Sequence, residues 1–272
     1  MVGHPDIRSF PKIMGIVNIT SDSFSDGGMY VRTDDAVQHA LHLIESGADI
    51  VDFGGESTRP NAKPVSLDSE LRAVIPVIEQ VRRINEQISI SIDTTKIEVA
   101  KAAIDAGVDI INDISGLNAD VRLAELAAEK KKSLVIMHMQ GTPRTMQLNP
   151  QYENVVEEVY SFLESKVTIA REIGVMDIYI DVGIGFGKTI ENNIELLKNL
   201  DYFSNIHCKM LLGISRKSFI GSLLDIQNPK ERDVPTALIY ALLLKSKIDV
   251  IRVHDVELLN RLRVLYNTLA NN

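Results

Sequence analysis

Cysteine and tryptophan are almost missing from this sequence. Its 272 residues include one cysteine, Cys208, and no tryptophan. A single cysteine cannot form a disulfide within one chain, and it cannot build the cysteine clusters that bind zinc. We therefore expect Cys208 to be a small inert side chain, and we look for function among other residue types.

Long hydrophobic runs and an excess of positive charge are missing as well. No run reaches the roughly 18 apolar residues that a membrane span needs, and the first residues contain no hydrophobic signal core. The longest apolar stretch, Ala237 to Leu244, predicts a buried helix. The net charge of −8 argues against a nucleic-acid or anionic-membrane surface. These absences favour a soluble cytoplasmic protein with no nucleic-acid or membrane partner, and they leave room for a local basic pocket that binds an anionic small molecule.

The chain has enough apolar residues for a sizeable core. They make up 45% of the sequence, and no linker, low-complexity tract or block of charge divides it. We therefore predict a single domain over residues 1–272.

Apolar runs of the kind that form strands alternate with longer segments of helical spacing. Most of the runs are continuous, which indicates parallel strands that are covered on both faces. The eight runs are Ile13–Val17, Ile50–Phe53, Ile88–Ile92, Ile110–Asn112, Leu134–Met137, Ile178–Ile180, Met210–Ile214 and Val250–Val253.

A short pattern repeats where predicted helices lead into strands. Gly47-Ala48-Asp49-Ile50 recurs as Gly107-Val108-Asp109-Ile110, and more loosely as Gly174-Val175-Met176-Asp177-Ile178. This weak internal repeat is typical of successive βα units.

Alternating strands and helices form either an open doubly wound sheet or a closed barrel. An open sheet gathers its ligand residues at one switch point, whereas a barrel spreads them over the C-terminal ends of many strands. Here nearly every predicted strand ends in a polar residue. The sequence therefore predicts an α/β fold of one (β/α)₈ TIM barrel.

Two polar loops follow the first two strands. The first begins at Asn18 and contains Phe24, Ser25 and Asp26, and the second contains Thr58-Arg59-Pro60. The guanidinium of Arg59 suits a carboxylate or a phosphate. Each loop taken alone is equally well explained as a solvated turn, so these segments remain open from the residues themselves.

Three short polar side chains stand at predicted strand ends that should meet in one pocket. They are Asp93, Asn112 and Asp181, and together they can accept from and donate to a planar amide-like edge. Asp113, beside Asn112, is better explained as a helix cap.

The later strands are followed by a glycine-rich loop and by basic residues. The run Gly183 to Lys188 lacks the spacing of a phosphate loop, and it better suits a loop that places Phe186 over a flat ligand. Ser215 and Lys217 stand where the seventh strand gives way to a helix, whose N-terminus favours anions. We expect Met137 to contact a flat ring and His138 to form a pocket wall.

The stretch Ile251-Arg252-Val253-His254-Asp255 ends the last strand with three ionisable residues. Side chains alternate along a strand, so Arg252 and His254 share the face opposite Ile251 and Val253. We expect Asp255 to belong to the following turn or helix cap.

Together these segments resemble the dihydropteroate synthase family. The matching segments run in the family's order from near residue 12 to residue 256, and they are NITSDSFSDGG, GGESTRP, IDTTK, INDISG, MHMQGTP, GIGFGK, GISRKSFIG and IRVHDV. The resemblance implies a barrel that is usually a homodimer, with the dimer face built by the last helices. It also implies an enzyme that joins 6-hydroxymethyl-7,8-dihydropterin pyrophosphate to 4-aminobenzoate, releases pyrophosphate, uses Mg²⁺ and is inhibited by sulfonamides.

The resemblance also implies a role for each matching residue. Asn18 contacts the metal, Asp93, Asn112, Asp181 and Lys217 hold the pterin, and Arg252 and His254 hold the pyrophosphate with Asn18. The loops with Phe24-Ser25-Asp26 and Thr58-Arg59-Pro60 close over the site, and Ser215 lies near the aminobenzoate. Asp93, Arg252, His254 and Lys217 are the expected catalytic residues.

Two alternatives remain at this point. One is a pterin-binding methyltransferase domain that uses methyltetrahydrofolate, but it would not need Arg59, Lys217 or the Arg252 and His254 pair. The other is a pterin-binding paralogue without catalysis, which should have lost pyrophosphate-binding or loop residues. None of these residues is missing from the sequence.

Overall fold

The computed structural model describes residues 9–19, 29–57, 62 and 64–270. Eight parallel strands close into a barrel in chain order, because β1 pairs with both β2 and β8. The predicted (β/α)₈ barrel is therefore confirmed. The strands are β1 (Lys12–Asn18), β2 (Ile50–Gly54), β3 (Ser89–Asp93), β4 (Ile110–Asp113), β5 (Ser133–Met137), β6 (Ile178–Asp181), β7 (Lys209–Leu212) and β8 (Val250–Val253).

Helices follow the strands around the outside of the barrel. They are α1 (Met29–Glu45), α2 (Leu67–Ile84), α3 (Ile97–Asp105), α4 (Arg122–Lys130), α5 (Val155–Ile173), α6 (Ile190–Lys198), α7 (Ser218–Leu224), α8 (Asp233–Leu243) and α9 (Val256–Ala270), with 3₁₀ helices at Leu200–Ile206 and Pro229–Arg232. No helix within the described ranges is long and apolar enough to cross a membrane.

All eight predicted runs form strands, with small differences at their ends. The seventh run was predicted to reach Ile214, but β7 ends at Leu212. The backbone N–H of Ile214 instead donates to the hydroxyl of Tyr240 on α8, at 3.2 Å. Ile214 thus binds a helix side chain instead of a neighbouring strand.

The barrel interior is filled at its N-terminal end by a layer of buried apolar side chains. This layer consists of Met14, Ile50, Ile110, Val135, Tyr179, Leu211 and Val250. Side chains two residues apart on a strand face the same side. Asp52 and Arg252, two residues beyond Ile50 and Val250, therefore also face the interior, one layer closer to the C-terminal end.

The repeated aspartates bind the N-terminal end of the barrel together. Each stands just before an even-numbered strand and accepts a hydrogen bond from the start of the preceding odd-numbered strand. The pairs are Asp49 with the N–H of Ile13 (2.8 Å), Asp109 with the N–H of Ile90 (3.1 Å), Asp177 with the hydroxyl of Ser133 (2.7 Å) and Asp249 with the N–H of Met210 (2.7 Å). The weak sequence repeat thus marks three of these four hydrogen bonds, and the structure adds the fourth at Asp249.

The prediction of a fully buried helix from Ala237 to Leu244 is wrong for one face of α8. Tyr240 is completely buried, but Leu238 and Leu242 are 61% and 74% exposed. An apolar composition on all sides explains the prediction, because composition alone does not show that one face lacks a partner within the chain.

Candidate active site

Arg252 is the centre of the polar side chains at the C-terminal end of the barrel. Its Nε donates to Oδ2 of Asp52 at 2.6 Å, and its Nη2 donates to Oδ2 of Asp93 at 3.0 Å. Asn112 Nδ2 donates to the same oxygen of Asp52 at 3.3 Å. One guanidinium therefore joins carboxylates from β2 and β3, and part of it remains accessible, since 21% of the side chain is exposed.

The pKa of Asp93 is raised to about 7, mainly by burial. Arg252 opposes this rise, while the carboxylates of Asp52, Glu70 and Asp113 add to it. A carboxyl group with such a pKa changes its charge close to neutral pH, which is common for groups in active sites.

Asp181 and Lys217 form the second charged part of the site. Asp181 is buried at the end of β6, and its Oδ1 accepts the N–H of Gly183 at 2.7 Å. Burial raises the pKa of Asp181 and lowers that of Lys217 to about 7, although each group opposes the shift of the other. The ammonium of Lys217 donates to the carbonyl of Ile184 and lies 4.1 Å from the centre of the Phe186 ring.

The loop after β6 is shaped by glycines where any side chain would collide. A Cβ on Gly183 would lie 1.8 Å from the carbonyl oxygen of His138, and one on Gly185 would lie 2.8 Å from the Lys217 side chain. Both glycines have positive φ angles, which other residues rarely adopt. The sequence Gly183 to Gly187 therefore lets the loop pass closely over β5 and Lys217.

Lys188 holds this loop from inside the protein. It is 3% exposed, and its ammonium lies 2.9 Å from His138 Nδ1 and donates to the carbonyl of Phe186 at 2.9 Å. Burial and the nearby Lys188 lower the pKa of His138 to about 2, so this imidazole stays neutral. These contacts support the interpretation of His138 as a pocket wall, and they give Lys188 a structural role rather than that of a phosphate-loop lysine.

An apolar surface lies beside these charges. Met137 is buried in a cluster with Ile114, Met139 and Met146, and Phe186 packs against it. Methionine and aromatic side chains of this kind suit the face of a flat ring.

His254 and Ser215 face each other across the ends of β7 and β8. The hydroxyl of Ser215 lies 2.9 Å from His254 Nδ1 and accepts the N–H of His254 at 3.1 Å. Asp255 accepts the N–H of Leu258 at 2.9 Å, so its predicted role as a helix cap is confirmed. Arg252 and His254 thus have different partners. Arg252 binds carboxylates inside the barrel, whereas His254 contacts Ser215 at the rim.

Asn18 stands at the end of β1 with an exposed side chain. Its Oδ1 lies near Gly54, since a Cβ built on that glycine would be in ordinary van der Waals contact with it, at 3.8 Å. Within the described residues, no three His, Cys, Asp or Glu side chains form a group that could hold a metal ion. One amide oxygen fits an ion such as Mg²⁺, which often takes only one or two protein ligands and completes its shell with water and substrate phosphates.

Six predicted site residues lie outside the described residues. They are Phe24, Ser25, Asp26, Thr58, Arg59 and Pro60.

Sequence reasoning missed the part that Asp52 takes in the site. It interrupts the apolar run of β2 and is completely buried. A buried carboxylate requires a cation or several donors, and the interior position of Arg252 supplies them. The sequence contained this signal, because the alternation of side chains along β2 and β8 places both Asp52 and Arg252 on the interior side.

A cavity of about 450 Å³ opens beside Asp93. Its walls come from the loops that follow β2 to β5, and they include Glu56, Pro64, Ser115 and Arg144. The site thus combines fixed charges, an apolar surface and an adjoining space.

Comparison with known proteins identifies the class. The family model of the pterin-binding enzymes matches residues 14–254, which include every described site residue named above. The chain is therefore a pterin-binding enzyme.

Individual relatives narrow this class. The dihydropteroate synthase of Synechocystis sp. is 44% identical over 90% of this chain and 85% of its own length. The solved dihydropteroate synthase of Xanthomonas albilineans with 4-aminobenzoic acid has a TM-score of 0.89 at 38% identity, and covers 96% of this chain and 93% of its own. The solved dihydropteroate synthase of Clostridium difficile in the presence of pteroic acid also has a TM-score of 0.89 at 38% identity. It covers 98% of this chain and 99% of its own. This chain belongs to the dihydropteroate synthase family.

Proposed function

We propose that this chain catalyses the Mg²⁺-dependent condensation of 6-hydroxymethyl-7,8-dihydropterin pyrophosphate with 4-aminobenzoate. The products are 7,8-dihydropteroate and pyrophosphate. The observation that carries this proposal is the placement of Arg252, Asp93, Asn112, Asp181 and Lys217 at one end of the barrel, next to the ring-binding surface of Met137 and Phe186. Family membership supplies the reaction.

The pterin ring is held by polar groups at its edge and by apolar groups on its face. Asn112 offers both a donor and an acceptor, Asp181 offers acceptors to ring N–H groups, and Lys217 donates to a ring oxygen or nitrogen. Asn112 and Asp181 are nearly completely buried, so their hydrogen bonds to a ligand are strengthened by the low local dielectric. Met137 and Phe186 contact the ring itself.

The bond that breaks is the C–O bond between the pterin methylene and the pyrophosphate. The amine nitrogen of 4-aminobenzoate forms the new bond to that carbon, and pyrophosphate leaves with the electron pair while the nitrogen gives up a proton. An aromatic amine attacks as the neutral molecule, so the protein need not supply a strong base. The carboxylate of Asp93 stabilises the positive charge that develops on the methylene and ring.

The leaving pyrophosphate requires positive charge at the rim of the barrel. Arg252 and His254 are the protein groups assigned to it. A fixed cation such as Arg252 and a hydrogen-bonding imidazole stabilise charge that develops as a bond breaks. Asn18 would hold Mg²⁺ together with substrate phosphate oxygens, and the bound ion would supply Lewis-acid stabilisation of the departing anion.

The test is an assay of the purified chain with both substrates and Mg²⁺. We expect stoichiometric release of pyrophosphate and formation of dihydropteroate, and loss of both after chelation of the metal. A reaction without product in the presence of all components would contradict the proposal, and unchanged rates after chelation would contradict the metal requirement alone.

We further infer that two copies of the chain associate through the exposed faces of α8 and α9. Val234, Leu238 and Leu242 follow each other at intervals of four on α8, so they form one apolar stripe, and they are 58%, 61% and 74% exposed. Leu265 and Leu269 are also exposed, on α9, which packs against α8. Contiguous exposed apolar surface of this kind usually marks a protein–protein contact.

Light scattering during size-exclusion chromatography tests this association. We expect twice the chain mass for the wild type, and the mass of one chain for a variant with Leu238→Glu and Leu242→Glu. Met176→Glu is the matched control, since Met176 is 93% exposed and lies outside α8 and α9. A dimer that survives both changes on α8 would contradict the assignment of this face.

A further inference from the structure

We propose that Lys96 is a positioning residue that fastens both ends of the loop after β2 to the turn that follows Asp93. In this way it fixes one wall of the cavity beside Asp93. This inference rests on the proposed function for its effect on turnover, but the contacts themselves are independent of it.

Lys96 joins two carboxylates that lie on different elements. Its ammonium contacts Glu56, which follows β2, and Glu70 on α2. Glu70 is completely buried, and its second oxygen accepts the hydroxyl of Thr94 at 2.7 Å. Thr94 and Lys96 both belong to the segment directly after Asp93, so one cluster connects β2, α2 and the end of β3.

Glu56 also joins the two ends of the loop. Its Oε1 accepts the N–H of Val65 at 3.3 Å, while its other oxygen contacts Lys96. The loop that leaves β2 and returns before α2 is therefore closed at its base by a single carboxylate, and Lys96 holds that carboxylate in place.

The base of this loop forms a wall of the cavity. Glu56, Ser57, Ala62 and Pro64 line it on one side, and Asp93 lines it as well. Because Lys96 lies three residues after Asp93 in the chain, the cluster fixes the distance between this wall and the predicted catalytic carboxylate.

The ammonium of Lys96 is stabilised in its charged form by its two carboxylate partners. Burial alone would lower the pKa of Lys96, but the hydrogen bonds to Glu56 and Glu70 raise it above its usual value. The ammonium stays charged at neutral pH. Loss of Lys96 would leave Glu70 as an uncompensated buried charge, so a loss of stability has to be separated from a loss of positioning.

The experiment compares four variants with the wild type. Lys96→Met removes the link, and Lys96→Met combined with Glu70→Gln removes both the link and the buried charge. Glu56→Gln weakens the link at the loop base, and Lys96→Arg keeps a cation. Lys101→Met, an exposed lysine on α3, is the control. For each protein we measure the melting temperature, the binding constant of a pterin ligand, the steady-state constants and hydrogen exchange at the Val65 amide.

We expect the double variant to fold with near wild-type stability, and still to lose about tenfold or more in kcat/KM for 4-aminobenzoate, since small misplacements of a site are costly. Pterin binding should be nearly unchanged, because the side chains of Asn112 and Asp181 have other partners among the described residues, Asp52 and the N–H of Gly183. Glu56→Gln should likewise lower kcat/KM while pterin binding is retained, and Lys96→Arg should keep part of the activity that Lys96→Met loses. Hydrogen exchange at the Val65 amide should become faster in every variant except Lys101→Met and Lys96→Arg.

A double variant with wild-type kcat/KM and unchanged exchange at Val65 would overturn the inference, because Lys96 would then only neutralise Glu70. A double variant that loses both pterin binding and kcat would also overturn the inference. If the wild type itself forms no dihydropteroate, the proposed function fails, and exchange at Val65 still decides whether Lys96 fastens the loop.

Discussion

The two ends of the barrel use the same residue type for opposite purposes. At the N-terminal end, Asp49, Asp109, Asp177 and Asp249 each bind the start of a neighbouring strand. At the C-terminal end, Asp52 and Asp181 are buried and Asp93 is largely buried, and the basic side chains near them are Arg252 and Lys217. The first set stabilises the closed barrel, whereas the second set keeps charge available for a ligand.

Exposure explains why the two sets differ. The side chains of Asp49 and Asp109 are 36% and 42% exposed and have arginine partners, Arg263 and Arg82. The side chain of Asp52 is completely buried and that of Asp93 is 11% exposed. One oxygen of Asp52 has no hydrogen-bond partner among the described residues. Buried charge is costly for folding even when it is partly paired, and its concentration at one end is typical of a functional site.

The largest effect is expected from removal of Arg252. Arg252→Met combined with Asp52→Asn removes the cation without leaving Asp52 charged and unpaired. We expect kcat to fall by about 10²- to 10³-fold, as for the loss of one preorganised charge-stabilising group, with a smaller effect on pterin binding. Steady-state kinetics and calorimetric titration measure the two quantities.

Arg263→Ala, at the opposite end of the barrel, is the matched control. It removes an arginine that pairs with Asp49, and we expect stability to fall while kcat is retained. Near wild-type turnover of the double variant at Arg252 and Asp52 would show that the ends do not divide their tasks in this way.

A smaller effect, on stability alone, is expected from Asp109→Ala. The change removes the acceptor for Arg82 at 2.7 Å and for the N–H of Ile90 at 3.1 Å. Hydrogen bonds to charged groups contribute about 1.5–3 kcal/mol, so the free energy of unfolding in urea should fall by about 2 kcal/mol. Glu129→Ala is the control, because Glu129 is 70% exposed and pairs with the adjacent Lys130. A loss of kcat in Asp109→Ala, with stability unchanged, would reverse the expected roles.

The smallest effect is a pH dependence of stability at Asp93. Its pKa in the folded protein is raised from 3.8 to about 7, so the folded chain binds this proton more tightly than the unfolded chain does. The resulting stabilisation is complete at low pH and is lost as the pH rises through about 7. The melting temperature of Asp93→Asn, relative to the wild type, should therefore increase by several degrees between about pH 5 and pH 8.

Arg263→Ala serves again as the control, since an arginine does not titrate in this range. The difference in melting temperature between Asp93→Asn and the wild type could instead stay constant with pH. That result would mean that the pKa of Asp93 is not raised by its surroundings at the C-terminal end.

The barrel was predictable from sequence because continuous apolar runs and polar strand ends both follow from parallel strands covered by helices. The placement of Asp93, Asn112, Asp181 and Lys217 at the C-terminal end of the barrel was predictable for the same reason. The partners of these residues were harder to predict. The contact of Arg252 with Asp52 joins residues 200 positions apart, and the cluster of Lys96 with Glu56 and Glu70 joins three elements whose closeness depends on the folded chain.

The exposed stripe on α8 shows a second limit. Leu238 and Leu242 resemble core residues by composition, and their exposure depends on which face of α8 the barrel covers. Tyr240, on the covered face, donates to the carbonyl of Leu212 at 2.7 Å. The sequence contains no signal that separates an apolar face packed within the chain from one that is left exposed.

The most direct test of the account is a crystal structure of the protein with dihydropterin pyrophosphate and Mg²⁺. The account predicts a pterin ring between Met137 and Phe186 that forms hydrogen bonds with Asn112, Asp181 and Lys217, and a pyrophosphate near Asn18, Arg252 and His254. A pterin bound elsewhere, or a pyrophosphate without contact to Arg252 and His254, would contradict the division of the barrel into a stabilising end and a catalytic end.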